Sequence, residues 1–368
     1  MRLGGFMKET AIVSSSKNTM TVPTRRERNS SFDKQSNHST MKKNLANACS
    51  AIAVFLFSLP QPLLAETVPL TLGQPIVVPG TKGRFDYLQV DEKLNRLLAA
   101  HTINKTLDII SLPDGKLIKS VSTGAVQGAV VDTDHNKYYA SVSAEQKLAI
   151  IDRQTLEITG TVSLPGPADA LAYNPKNGMV YVCHDDGEDV WVVDPSAQKI
   201  VTAVKIPSQP EFVVYDPVSD KVFQNIKSQP VLFVIDPGLN SVAATWSTVP
   251  AEGPHGLAIN PETHRLFSAG KNGILVVLDS VSGKSLGSVD IAKGVDQIAF
   301  DPGNKRIYCA SGQGHLSVLQ ETKEGVKSLG DVTTPAGTHT LAVDPNTHSV
   351  WIAFAKGEES YVAELKAK

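Results

Sequence analysis

A unit of two short strands around a tight turn recurs seven times along this sequence, and that recurrence restricts the fold more than any other feature. The clearest copy is PHGLAINPETHRLFSAG, Pro254 to Gly270. Leu257 and Ile259 alternate along a first strand, and Leu266 and Phe267 belong to a second. Asn260-Pro261 opens the turn, since Asn or Asp followed by Pro fits the first two positions of a type I turn. The landmark acid or amide falls at Asp91, Asp132, Asn174, Asp216, Asn260, Asp301 and Asp344, with spacings of 41, 42, 42, 44, 41 and 43 residues. Self-similarity at this period, built of strands and turns, means propeller blades. The expected fold is therefore all-β: a seven-bladed β-propeller of four-stranded antiparallel blades. Although 368 residues would allow two small domains, a lone blade cannot bury both of its faces, so the repeat predicts one propeller domain over 66–368.

The leader is unlike the repeats. Residues 1–40 are rich in Ser, Asn, Lys and Arg and lack an apolar period, which reads as a disordered extension or a start site placed too early. From Met41 the pattern is that of a secretory signal peptide over 41–65: Lys42 and Lys43, an apolar core from Ala48 to Leu59, then Leu63-Leu64-Ala65 as the cleavage site. That core is too short for a mature membrane span. Cys49 lacks the leucine three positions earlier that a lipid anchor calls for. The mature chain is expected to begin at Glu66, in the periplasm or secreted, as a monomer.

Removing the nine Lys and Arg and the three Asp and Glu of residues 1–65 from totals of 35 and 37 leaves 26 basic and 34 acidic residues, a net charge of −8. An acidic domain is a poor general partner for nucleic acid, whose affinity rests on neutralising phosphates. Cys183 and Cys309 lie in the second strands of blades three and six, too far round the ring to bridge, and are expected to be free and buried. The last repeat, from Thr338, supplies three strands only. Residues 66–80 resemble a lone outer strand, so the N-terminal strand is expected to complete blade seven and close the ring.

The third strands are also regular (LDIISLPDG, LAIIDRQT, VWVVDPSA, LFVIDPGL, LVVLDSVSG, LSVLQETK), and the second strands include RLLAAH, MVYVCHD, RLFSAG and RIYCASG. This pattern resembles the YVTN-type β-propeller repeat, and residues 66–368 are similar to YncE-like periplasmic propeller proteins. The second strands depart from the literal signature, as in Tyr181-Val182-Cys183-His184. The resemblance implies export and a seven-bladed ring. It covers members thought to bind single-stranded DNA and, in the wider superfamily, propeller subunits of amine dehydrogenases. No residue here carries over a catalytic role from either.

The innermost strands show one polar position. Three residues before the landmark stand Leu88, Ala129, Leu171, Val213, Leu257, Ile298 and Leu341; one before it stand Val90, Val131, Tyr173, Tyr215, Ile259, Phe300 and Val343. Five before it, in phase with these apolar positions, stand Asp86, Gln127, Asp169, Glu211, His255, Asp296 and His339. These seven are expected to form a ring at the mouth of the central channel. Glu211, His255, Asp296, His339 and Asp86 run consecutively round it. Two imidazoles with a carboxylate between them suit a divalent transition metal ion, and a carboxylate-rich arc suits Ca²⁺; the alternative is a hydrated mouth. His101, His184 and His315 are placed in loops on the same face, beside Asp185, Asp186, Glu188 and Asp189, as further ligand-binding candidates. His135, His264 and His348 fall in turns on the opposite face and read as ordinary exposed residues.

Other motifs fail on context. Gly283-Lys284-Ser285-Leu286-Gly287 matches a nucleophile elbow but lies in a strand-to-strand turn with no following helix. Asp132-Thr133-Asp134-His135-Asn136 begins like a calcium loop and lacks its Gly and distant Glu. Three function readings follow. The first is a non-enzymatic binding or scaffold protein that takes a small polar ligand or another periplasmic protein on its channel face. The second is a metal-dependent, lactonase-like hydrolase. The third is single-stranded DNA binding, for which Lys227, Lys271 and Lys356 are the visible support.

Overall fold

The computed structural model describes residues 69–367, so the readings of 1–40 and 41–65 lie outside it. Seven antiparallel sheets follow one another round a ring. Blades one to six each take four consecutive strands, as in Pro254–Asn260, Arg265–Gly270, Ile274–Asp279 and Ser285–Asp290 of blade five. Blade seven takes Thr340–Asp344, Ser349–Lys356 and Glu359–Ala367 from the C-terminal end of the chain. Its outer strand comes from the N-terminal side in two pieces, Leu70–Leu72 and Ile76–Val77. Leu70 faces Ala367, Leu72 faces Leu365 and Ile76 faces Val362 across that closing ladder. Among the described residues no helix is long and apolar enough to cross a membrane.

The landmark residue makes the repeat fold. All seven are buried, and each carboxylate or amide oxygen accepts a backbone N–H two or three residues on: Asn260 from Glu262 at 3.1 Å, Asp301 from Gly303 at 2.9 Å, Asp344 from Asn346 at 3.0 Å, Asp91 from Leu94 at 3.2 Å. Four residues after every landmark the chain enters the left-handed region, at Asn95, Asn136, Gly178, Asp220, His264, Lys305 and His348. The side chain thus replaces a backbone acceptor and holds a turn whose last residue has positive φ.

Seven apolar clusters occupy the seven seams between neighbouring blades. Leu98 and Leu107 of blade one meet Val126 and Tyr138 of blade two, and Trp351 of blade seven meets Leu88 and Leu97 of blade one. Each fully buried aliphatic or aromatic side chain contributes about 1.5–3 kcal/mol. Cys183 and Cys309 lie in these seams as free, buried thiols, and Trp191 and Trp351 are buried there too.

The expected alternation does not run unbroken through the inner strands. In blades two to six the ladder slips between Val126 and Gly128, Ala168 and Leu171, Pro210 and Val213, Pro254 and Leu257, and Val295 and Ile298. Every slip contains the polar position, so a β-bulge sets the aim of that side chain. In blades one and seven the ladder begins only after the polar position, at Tyr87 and Thr340, with no slip. Two of the side chains that follow a ring residue meet across the ring: the Tyr87 and Phe212 rings, from opposite blades one and four, lie 5.7 Å apart. Burial pushes the Tyr87 hydroxyl up to about 12.

Candidate functional site at the channel mouth

The bulges bring part of the ring into contact. His255 Nε2 lies 3.0 Å from Glu211 Oε1 and 3.1 Å from Asp296 Oδ1, joining blades four, five and six. One ligand atom from each of Glu211, His255 and Asp296 falls within 4.8 Å of the others. Glu211 is buried; His255 and Asp296 are half-buried. Burial would lower the His255 pKa, but its hydrogen bonds to Asp296 and Glu211 and their charges raise it above the ordinary value. Burial alone would raise Asp296, and the bond and charge of His255, with Lys271 and His339 near it, bring it down to about 2. The ring nitrogen between the two carboxylates is therefore a donor to both, and His255 Nδ1 is buried without a partner.

The other ring members stand apart from this triad. His339 Nε2 is 4.0 Å from Asp86 Oδ1, beyond hydrogen-bond reach, and its Nδ1 donates to the Gly337 carbonyl at 2.8 Å. Asp86 accepts from Arg84 at 2.9 Å. Burial raises its carboxyl to about 6, against the pull of Arg84, with the charges of Asp296 and Glu211 adding to the rise. Asp169 is pushed well above the usual carboxylate range by burial, then by the charges of Glu211, Asp86 and Asp185. Gln127 Oε1 is buried without a partner. The five consecutive residues of the sequence reading thus divide into a joined set of three and a looser pair.

The three loop histidines do not join the ring. His101 ends the strand Arg96–His101 and is fully buried in the seam between blades seven and one. It stacks on Phe85 at 3.9 Å, and its Nδ1 lies 2.7 Å from Asp108 Oδ2. Its Nε2 lies 3.0 Å from the Gly83 carbonyl and 3.1 Å from Ser360 Oγ. This is a Ser–His–Asp arrangement whose three members are all fully buried, so no substrate reaches it. The sequence reading places His101 on an open loop; strand pairing carries it inward instead. His184 stacks on Trp191 at 4.5 Å, its ring walled by Gly166 and Gly187, where a Cβ would come within 2.4 and 2.1 Å. His315 opens the strand His315–Glu321 and is exposed. On the opposite face His348 is not a free turn residue, because its Nδ1 bonds the Asp301 carboxylate of the preceding blade at 3.0 Å.

Lysines from the loops complete the site, and the sequence reading did not connect them with it. Lys227 Nζ lies 3.1 Å from both Asp185 and Asp186 and 3.3 Å from Glu211 Oε2. Lys271 Nζ lies 3.7 Å from Asp296 Oδ1. Lys227 is thereby committed to carboxylates rather than presented to a phosphate backbone. Clefts on the opposite face include one of about 460 Å³ beside His135, Tyr139 and Met179 and one of about 380 Å³ beside Gln89, Val131 and Phe300.

No family model and no curated protein matches the sequence. Among solved structures, a chain in the crystal structure of the mitotic checkpoint complex is similar to this one. Its TM-score is 0.70 at 14% identity, over 87% of this chain and 99% of that one. The likeness is one of fold. It agrees with the seven blades described above.

Proposed function

We propose that the chain is an exported, YncE-like propeller that acts as a binding protein rather than an enzyme, and that its channel mouth binds a divalent metal ion. The observation that carries the reading is the convergence of Glu211, His255 and Asp296 from three successive inner strands, with ligand atoms within 4.8 Å. Two carboxylates and an imidazole form a general site for first-row divalent ions. Binding would replace the proton that His255 Nε2 now shares with the two carboxylates, because a ligating imidazole must offer its lone pair. Export is supported by the Met41–Ala65 pattern, and N-terminal sequencing of the secreted protein should begin at or near Glu66.

Elemental analysis before and after chelation, followed by calorimetric titration with Zn²⁺, Mn²⁺ and Ca²⁺, tests the site. Wild type and His339→Ala should bind one ion, and the double change His255→Ala with Asp296→Asn should bind none while melting as a folded ring. Equal binding by wild type and the double variant would overturn the assignment.

A further inference from the structure

Lys227 and Lys271 occupy the same place in their repeats, eleven residues after Asp216 and Asn260, directly following the strands Lys221–Ile226 and Arg265–Gly270. In adjacent blades four and five they bracket the triad, Lys227 on Glu211 and Lys271 on Asp296. The two contacts are unequal. The Lys227 side chain is 23% exposed and touches three carboxylates, two of them in the blade-three loop, whereas Lys271 is 41% exposed and touches one. The Lys227 main chain is tied down, its N–H donating to the Gln209 carbonyl at 3.1 Å, so the side chain can turn without moving the loop.

From this geometry we infer that Lys227 is a built-in competitor for the channel-mouth site: its ammonium supplies the counter-charge that an incoming cation replaces, and it sets the affinity threshold of the site. The inference rests on the cation-binding reading above. Glu211 divides its two oxygens between His255 and Lys227, Oε1 to the imidazole and Oε2 to the ammonium. A dication held by Oε1 would sit next to that ammonium, and like charges a few ångströms apart in a half-buried cup repel strongly. Asp185 and Asp186 offer the displaced ammonium a second resting place away from Glu211. Cation entry is then an exchange within the protein's own ion-pair network, with the lysine retreating to the blade-three loop. Lys271, more exposed and farther from its carboxylate, acts in the same sense and more weakly.

The test is calorimetric titration of wild type, Lys227→Met, Lys227→Arg and Lys271→Met with Zn²⁺, Mn²⁺ and Ca²⁺, with Lys227→Gln as a second neutral variant should the methionine form not fold. Lys227→Met should bind the preferred ion roughly tenfold more tightly or better, Lys227→Arg should stay near wild type, and Lys271→Met should gain less. A second readout follows the ammonium itself. After reductive ¹³C-methylation, the Lys227 resonance, identified by its loss in Lys227→Met, should move toward that of an exposed lysine as the ion saturates wild type. Binding by wild type with no gain in the neutral variants, or with an unmoved Lys227 resonance, sinks the competitor and leaves the metal site standing. No binding of any of the three ions by wild type or variants removes both.

Discussion

The Gln297 side chain reaches from blade six past blade seven to Leu88 of blade one. Its Oε1 accepts the Leu88 N–H at 3.2 Å, and its Nε2 donates to the Leu88 carbonyl at 2.9 Å. The same Oε1 accepts from the Leu341 N–H at 3.1 Å and from the Thr340 hydroxyl. An amide side chain here does what a neighbouring strand would do. It satisfies backbone groups of two inner strands where the blade-seven ladder starts late, at Thr340.

Gln297→Ala should therefore lower stability by about 1–3 kcal/mol, because buried backbone groups lose partners that water cannot replace. Differential scanning calorimetry reads the effect. Gln297→Glu should also destabilise, since it removes the donor to Leu88 and buries a charge. A melting temperature unchanged in both variants would show that the bridge does not hold the ring.

Acid should unfold this protein partly through Asp91. Arg153 donates to it twice at 2.6 Å, across the seam between blades one and two, and the Tyr138 hydroxyl donates at 2.7 Å. Burial would raise the carboxyl, but these bonds hold it below the ordinary 3.8. A depressed carboxyl contributes stability that is present above its unfolded value and lost as pH falls through its folded one. Stability should thus fall as pH drops below about 3.8, and Asp91→Asn should flatten that limb while costing about 3–5 kcal/mol at neutral pH, because Arg153 is left buried without a counter-charge. Denaturant unfolding between pH 3 and 7 measures both.

The buried Ser360–His101–Asp108 chain should behave as a lock and not as a nucleophile. Ser360 belongs to the third strand of blade seven, His101 and Asp108 to blade one, and Gly83 to the segment leading in from the closing outer strand. Ser360→Ala should cost about 1–2 kcal/mol in thermal unfolding. A fluorophosphonate probe should leave Ser360 unlabelled in the native protein. Labelling without unfolding would mean the seam opens to solvent.

The sequence by itself determined the fold. Its landmark residues recur because each must cap its own turn, a local requirement written at a fixed distance from the strands on either side. The missing fourth strand of the last repeat and the spare strand before the first one pointed to ring closure, and Leu70 opposite Ala367 is that closure. The polar ring position was legible for the same reason, as one place per repeat. Which ring residues meet was decided only by tertiary structure. Bulges in blades four, five and six turn Glu211, His255 and Asp296 together in a way that alternation cannot express, whereas His339 and Asp86, in blades without the bulge, stop 4.0 Å apart. His101 shows the converse. A histidine ten residues after its landmark looks like a loop ligand, and pairing of its strand with Thr106–Ser111 buries it against Ser360, 259 residues away. The reach of Lys227 across to Asp185 in blade three is equally silent in the chain, because contacts between blades depend on the angle at which rigid sheets pack, and that angle is fixed by closing the whole ring.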